Sequence, residues 1–402
     1  MDGFLHRGVT KQMCPYTLMD TRAIRVALLE EAPSVRSENI LPHLADRFAI
    51  TYVTAASEIP EAKYARVVRV PHSKFVLHRA WEISAVADSL YKQGAIDFAV
   101  SWARIGLFAR RAPVLLSIGG SYAHEIGVIL KNYPLSKRWR VLTGLLHYAV
   151  PEIVSARRAR MITVPSEAMK QRISQTCGVP IEKIRVVPEG VGDIFFDTYE
   201  EQKFSATAKI AFVGRSHPGK GILAFARQFS KSRIEATLLI GGDGPDFPAL
   251  SRIADMDRRV QLKGHVTVEQ VAALLKRTTV FVWPSLYEGC PIAVLEALAS
   301  GHACVAYPEG SSVEVLGESA VYAEYNNPVA LCAQLEVLLQ DRSRIHDLAR
   351  KGRQRALQFR WENCLAKTEE LYVDFYRDLR RTLTGDERHL QRRVYPSLSQ
   401  KT

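Results

Sequence analysis

No run of eighteen apolar residues occurs in this 402-residue chain, so nothing in it is expected to span a membrane. Its first twenty residues lack the apolar core of a secretion signal. Six cysteines (Cys14, Cys177, Cys290, Cys304, Cys332 and Cys364) are scattered, with no C-x-x-C and no Cys/His cluster. That spacing argues against a zinc site or a disulfide framework and predicts a reducing, cytoplasmic setting. A metal-holding Asp-x-Asp is also missing from any suitable place. Asp255-Met256-Asp257 has the spacing but falls in a polar segment between strands, so no metal and no cofactor is expected. A dinucleotide fingerprint is absent too, because Gly242-Asp243-Gly244 is not followed by the third glycine. Acids are in short supply, 42 against 54 Lys and Arg, which leaves a net charge of +12 and a pI near 9.4. The surplus favours anionic partners such as nucleotide diphosphates, anionic lipid or nucleic acid, or else it is a solvated basic surface. Charge alone does not choose between them.

What is present is a soluble composition, 47% apolar and 24% charged, in a chain long enough for two domains with their own cores. Buried strands read at Ala23–Leu29, Phe48–Ala55, Ala65–Val70, Phe98–Trp102 and Pro113–Ile118, with helical patterns between several of them. Strands alternating with helices predict parallel sheets covered on both faces. A second series opens at Ile210–Val213. In open sheets of this kind ligands bind beyond the carboxyl ends of the strands, beside helix N-termini.

The string from Pro284 to Gly301, PSLYEGCPIAVLEALASG, is the most informative part of the chain. The apolar run Thr279–Trp283 reads as a strand that ends in a Pro-Ser turn, with a helix starting near Pro291. Glu288 then lies in the strand-to-helix loop and Glu296 on the helix. A loop acid and a helix acid at the carboxyl end of a strand can reach one ligand that carries hydroxyls and phosphates.

This string resembles the E-x7-E signature of the retaining glycosyltransferases of family 4, in its E-G-[FC]-P-x-x-x-L-E-A form. The resemblance spans roughly residues 23 to 381 and is stronger in the second half. It implies the GT-B architecture: two Rossmann-like α/β domains facing across a cleft, with a C-terminal helix crossing back to the first. It implies that Glu288 contacts the donor sugar and that Glu296 hydrogen-bonds the nucleotide ribose, with Gly289 and Cys290 beside the substrate. Val213-Gly214-Arg215 with Lys220-Gly221 is similar to the family's VGR…KG segment, in which Arg215 and Lys220 would clamp the donor diphosphate. Gly214 to Lys220 also fits G-x-x-x-x-G-K by spacing, but Gly221 stands where a P-loop needs Ser or Thr. The segment Val260–Val266 resembles the one whose backbone meets the nucleobase, which makes Val266 a candidate contact. Val187-Pro188-Glu189-Gly190-Val191 resembles the family's PNGV turn, with Glu189 in place of Asn.

The first half departs from the pattern. The loop after the first strand, Glu31 to Ser37, lacks the family's glycine pair; Arg36 there is a phosphate contact or a plain surface cation. Gly119 stands where the family carries a histidine against the donor sugar, followed by Gly120. The missing imidazole is either absent or replaced by His124 or Glu125. Residues 131 to 160 hold seven Lys/Arg and one acid, with Lys137, Arg138 and Arg140 among Trp139, Leu142, Leu145, Leu146 and Tyr148. Two readings stay open: a helix lying on an anionic bilayer, or one packing its apolar stripe on the sheet. Gly310-Ser311-Ser312 offers amides for phosphate at a helix start. The tail after Trp361 reads as a late amphipathic helix and a frayed basic end.

The expected division is residues 1–192 as the acceptor-side domain, 208–358 as the nucleotide-sugar domain, and 359–402 as crossover helix and tail. Expected partners are a nucleotide-sugar donor and a saccharide or lipid-linked acceptor, with peripheral contact to an anionic membrane at its cytoplasmic face and no nucleic acid. The expected reaction moves a hexose-type sugar to an acceptor hydroxyl with retention, in cell-surface polysaccharide or glycolipid synthesis. The alternatives are a P-loop-like NTPase and a nucleotide-sugar-binding protein without catalysis.

Overall fold

The computed structural model describes residues 23–31, 35–56, 66–71, 73–102, 104–132, 143–197 and 208–394, with backbone alone for Val35–Glu38, 383–394 and a few others. Two fully parallel sheets organise the chain. The first has the order β3-β2-β1-β4-β5-β6-β7. Its strands are β1 Arg25–Glu30, β2 Ala49–Thr54, β3 Arg66–Arg69, β4 Phe98–Trp102, β5 Val114–Ser117, β6 Met161–Val164 and β7 Ile184–Val186. The second has the order β10-β9-β8-β11-β12-β13. These are β8 Ala208–Val213, β9 Ala236–Gly241, β10 Val260–Gly264, β11 Val280–Trp283, β12 Ala303–Ala306 and β13 Ala320–Tyr322. The expected strands are found with ends moved by at most two residues: Phe98–Trp102 is unchanged, Phe48–Ala55, Ala65–Val70 and Pro113–Ile118 are each trimmed at both ends, and β8 starts two residues earlier than expected.

Helices on both faces explain why the central strands are apolar without alternation. Phe98 to Ser101 and Val280 to Trp283 are buried throughout. In each sheet the strand order reverses once, between β1 and β4 and between β8 and β11. Loops leaving those strands part to opposite faces and leave a crevice at the carboxyl ends.

The late helix runs as Trp361–Val394 and returns to the first domain. Its Tyr372 and Phe375 are buried against Phe98 at centroid distances of 5.7 and 5.1 Å, and Tyr372 also meets Phe48 at 5.5 Å. Each such pair adds about 0.5–1.5 kcal/mol beyond its buried area. The expected frayed tail is therefore helical as far as Val394. Between the expected first and second domains lies a short helix, Asp193–Asp197. Its Phe195 and Phe196 are buried in the core of the second domain. Among the described residues no helix is long and apolar enough to cross a membrane. Lys137, Arg138, Trp139, Arg140 and Leu142 of the basic segment lie outside the described residues, as does the Arg36 side chain.

Candidate active site

The two sheets present their carboxyl ends to one another, and the loops there enclose a cavity of about 450 Å³. Arg215, His217, Lys220, Tyr287, Glu288 and Gly289 line it from the second domain. Trp102, Ser117, Gly119, Gly120, Tyr122 and Glu125 line it from the first.

Local backbone chemistry brings Lys220 and Glu288 together. After β8 the chain makes a 3-10 turn, Pro218–Lys220, and Gly221 takes the left-handed φ of +65° that lets a helix, Ile222–Lys231, start at once. The loop after β11 lies on that turn: the Leu286 N–H donates to the Gly219 carbonyl at 2.8 Å. Glu288, two residues further on, is buried. It accepts from Lys220 Nζ at 2.5 Å and from the Ser285 hydroxyl. The ammonium also lies 5.0 Å from the centroid of the Trp283 ring, which stacks on Phe212 and Phe281. A contact this well hydrogen-bonded on an aromatic floor fixes both side chains in place. His217 beside it is held neutral. Burial, then Lys220 and Arg215, lower its pKa to about 4.

The opposite wall is built on a buried acid that the sequence reading missed. Glu152, 1% exposed, accepts from Ser121 Oγ at 2.8 Å and from the Tyr122 N–H at 2.9 Å. Burial raises its pKa in spite of those bonds. It anchors the start of the helix Tyr122–Asn132, whose first turn points Glu125 into the cavity. Burial also pushes the Glu125 carboxyl up, while Arg215 and Lys220 across the cleft pull it down and Glu288 pushes it up again. His124, the other candidate for the missing imidazole, instead packs on Tyr287 at 5.1 Å.

The walls are tied together. The Ser121 N–H donates to the Tyr287 hydroxyl. Arg172 donates to the Glu288 carbonyl at 3.0 Å and pairs with Glu309 at 2.9 Å. Glu314 of the second domain accepts from the Glu167 and Ala168 N–H groups, at 2.9 and 3.1 Å, at the start of a first-domain helix, Glu167–Cys177. Of the amides at Gly310-Ser311-Ser312, the Ser312 N–H is already taken: Glu309 caps the helix Gly310–Leu316 by accepting from it, and the Ser311 hydroxyl meets the Ser166 hydroxyl at 2.9 Å.

The structure thus gathers Arg215, Lys220, Glu288, Gly289, Gly119 and Gly120 around one cavity. Glu296 is not among the cavity's lining residues. It sits half-buried on the helix Ile292–Ala299, with no hydrogen-bonding partner for its carboxylate among the described residues, and burial lifts its pKa to about 8. Cys290 is half-buried and packs on the second domain's core. Val266 lines a separate groove of about 380 Å³ with Lys263, Gln270 and Leu274. The P-loop alternative has no Ser or Thr after its lysine, because Gly221 stands there in a left-handed turn. Among the described residues no group of three or more His, Cys, Asp or Glu is placed to hold a metal ion.

Two family profiles match the chain. The one described as Glycosyl transferases group 1 matches residues 207–341, and Glycosyltransferase Family 4 matches residues 34–193. The MMP alpha-(1->4)-mannosyltransferase of Mycolicibacterium hassiacum is 29% identical over 248 residues, 60% of this chain and 58% of that protein. The O-antigen chain mannosyltransferase B of Escherichia coli is 28% identical over 169 residues, 40% and 44% of the two chains. The chain therefore spans about half the length of these relatives. Among solved structures, sucrose-phosphate synthase from Thermosynechococcus elongatus superposes with a TM-score of 0.71 at 16% identity, covering 88% of this chain and all of that one. Anabaena Alr3699/HepE, solved with UDP and glucose, gives 0.68 at 15% identity, covering 87% of this chain and 100% of that one. At such identities the likeness is one of fold.

Proposed function

This chain belongs to the group 1, family 4 glycosyltransferases, and from that premise we propose that it transfers a hexose-type sugar from a nucleotide diphosphate sugar to an acceptor hydroxyl, with retention and without a metal. The observation that carries the reading is the Lys220–Glu288 pair facing Arg215 and Glu125 in one interdomain cavity. The relatives named mannosyltransferases and the fold neighbour solved with UDP and glucose support a nucleotide-sugar donor and a role in polysaccharide or glycolipid synthesis.

In the proposed reaction the bond from the anomeric carbon to the diphosphate breaks, and the diphosphate leaves with the electron pair. Arg215 and Lys220 meet the growing negative charge with fixed donors in a site partly closed to water, where such stabilisation is strongest. Glu288 orients the sugar and keeps Lys220 aimed. The acceptor oxygen adds to the same face, and its proton passes to the departing phosphate oxygen. No protein nucleophile is required. Glu125 takes the place that Gly119 leaves empty, as the first domain's polar contact to the reacting sugar or acceptor.

A thermal-shift panel of UDP-, GDP- and ADP-sugars tests donor binding, since a ligand that binds only the native state raises Tm. With the donor found, Lys220→Ala and Glu288→Ala should each lower transfer about 10²–10³-fold, assayed well below each variant's Tm. Near-parental turnover in both would end this assignment. Binding without turnover on any acceptor would favour a nucleotide-sugar-binding protein instead.

A further inference from the structure

Beside the cavity, at the carboxyl ends of β1 and β4, two arginines converge on one oxygen. Arg79 and Arg104 each lie 3.5 Å from Glu31 Oε2, with side chains only 15% and 11% exposed. Neither contact reaches hydrogen-bonding distance. Glu31 Oε1 and Arg104 Nε are buried with no partner among the described residues. Two guanidiniums against one carboxylate leave a surplus of one positive charge in a largely desolvated place. Arg79 also donates to the Ser73 carbonyl, and Glu82, three residues further along its helix, meets His78 at 3.4 Å through one oxygen while the other is buried without a partner among the described residues. Arg104 also stacks 4.6 Å over the ring of Tyr148, whose centroid is 5.0 Å from that of Tyr122, and its charge pulls down the Tyr122 phenol that burial pushes up. Tyr122 lines the cavity, so the cluster adjoins it through the Tyr122 and Tyr148 rings.

A partly buried cation pair that is underpaired, with orphaned polar atoms and a rigid aromatic backing, is built for an anion rather than for stability. Breaking or half-satisfying such a cluster costs a fold more than apolar packing would. We propose that Arg79 and Arg104 receive a phosphate monoester on the acceptor, and that Glu31 holds the two guanidiniums apart until it arrives. Two planar forks approaching from different elements suit a tetrahedral oxyanion with three accepting oxygens. The acceptor of this enzyme is then a phosphorylated saccharide or polyol whose hydroxyl reaches past Tyr122 to Glu125. This rests on the transferase reading above, since it names the acceptor for the same cleft.

Calorimetric titration of the full chain with glycerol 3-phosphate, and with glycerol as its neutral twin, tests the subsite without needing turnover. The phosphate ester should bind and glycerol should not. Arg104→Gln should weaken the ester about tenfold or more, and Arg79→Gln, a second variant in case the first is unstable, should weaken it by a smaller factor. Glu31→Gln should tighten it, because the competing carboxylate is gone, an effect that a purely structural ion pair would not produce. Lys220→Ala should leave glycerol 3-phosphate binding intact while weakening UDP or GDP. Equal binding of glycerol and its phosphate, no response to Arg104→Gln, Arg79→Gln and Glu31→Gln, or loss of the ester in Lys220→Ala would each overturn the subsite. Unchanged UDP and GDP binding in Lys220→Ala would count against the donor reading alone.

Discussion

Glu296 is the residue whose surroundings most change its chemistry. Burial alone lifts its carboxyl to about 8, so near neutral pH it is mostly protonated in the free chain. An ionised carboxylate accepts from both hydroxyls of a ribose, whereas the protonated acid gives up one accepting position to its own proton. Nucleotide affinity should therefore rise as pH climbs from about 6.5 to 8.5, and Glu296→Gln should flatten that rise. Titrating UDP or GDP across the range measures it, and a flat profile in the parent would remove Glu296 from the nucleotide site. The same shift bears on stability with a fixed sign. The folded value lies above the ordinary 4.5, so the native state holds this proton longer than the unfolded chain does. The stability it contributes is present below about 4.5 and is lost as pH rises through about 8. His217 works the other way. Its folded value of about 4 lies below 6.5, so its contribution is present above about 6.5 and is lost as pH falls through about 4.

At the scale of the element, the turn that carries Lys220 depends on Gly221. An added Cβ there would lie 2.1 Å from the Pro284 carbonyl, at a φ of +65° that L-residues avoid. Gly221→Ala should cost about 1–2 kcal/mol from the backbone conformation, plus the shift of the β11 loop away from the turn. Both Tm and transfer should fall, and parental values for both would mean that the two loops do not lean on each other. This turn was legible in the sequence because its residues are contiguous: Gly214, Lys220 and Gly221 announce a strand-to-helix loop, and Glu288 with Glu296 announces the helix after β11. The strands were legible for the same reason, since a strand buried on both faces reads as an unbroken apolar run. The anchoring role of Glu152 was not legible. It acts across 31 positions on Ser121, and no local pattern distinguishes it from any other helical acid. The same holds for Glu31, Arg79 and Arg104, which meet only because β1 and β4 are neighbours. The helix Asp193–Asp197 was hidden by its charged ends, although Phe195-Phe196 carried the signal. That Glu309 takes the Ser312 amide was not legible either, because its partner Arg172 comes from the other domain.

The whole molecule is held with its cleft closed by contacts that only close approach permits. Gly289 sits against the Gly119 carbonyl so tightly that an added Cβ would lie 1.8 Å from that oxygen. Around this point Arg172 ties Glu309 to the first domain, and Glu314 caps the helix Glu167–Cys177. Apolar contact adds to these bonds, with Tyr287 packed on a first-domain cluster and Val128 on the second domain's core; interfaces of this mixed kind between two cores open and close with ligand. Gly289→Ala should therefore hold the domains apart without unfolding either. Transfer should drop steeply, and small-angle scattering should give a larger radius of gyration that nucleotide no longer reduces. Gly119→Ala is the matched control, because a Cβ at 119 meets nothing within 4 Å. Its stability should stay within about 0.5 kcal/mol of the parent, as for a neutral surface change, with the radius unchanged. If Gly289→Ala matched the parent in both radius and transfer, contact between the Gly119-Gly120 loop and the Glu288-Gly289 loop would not belong to the working form. The cavity that joins Glu125 to Lys220 would then lose its second wall.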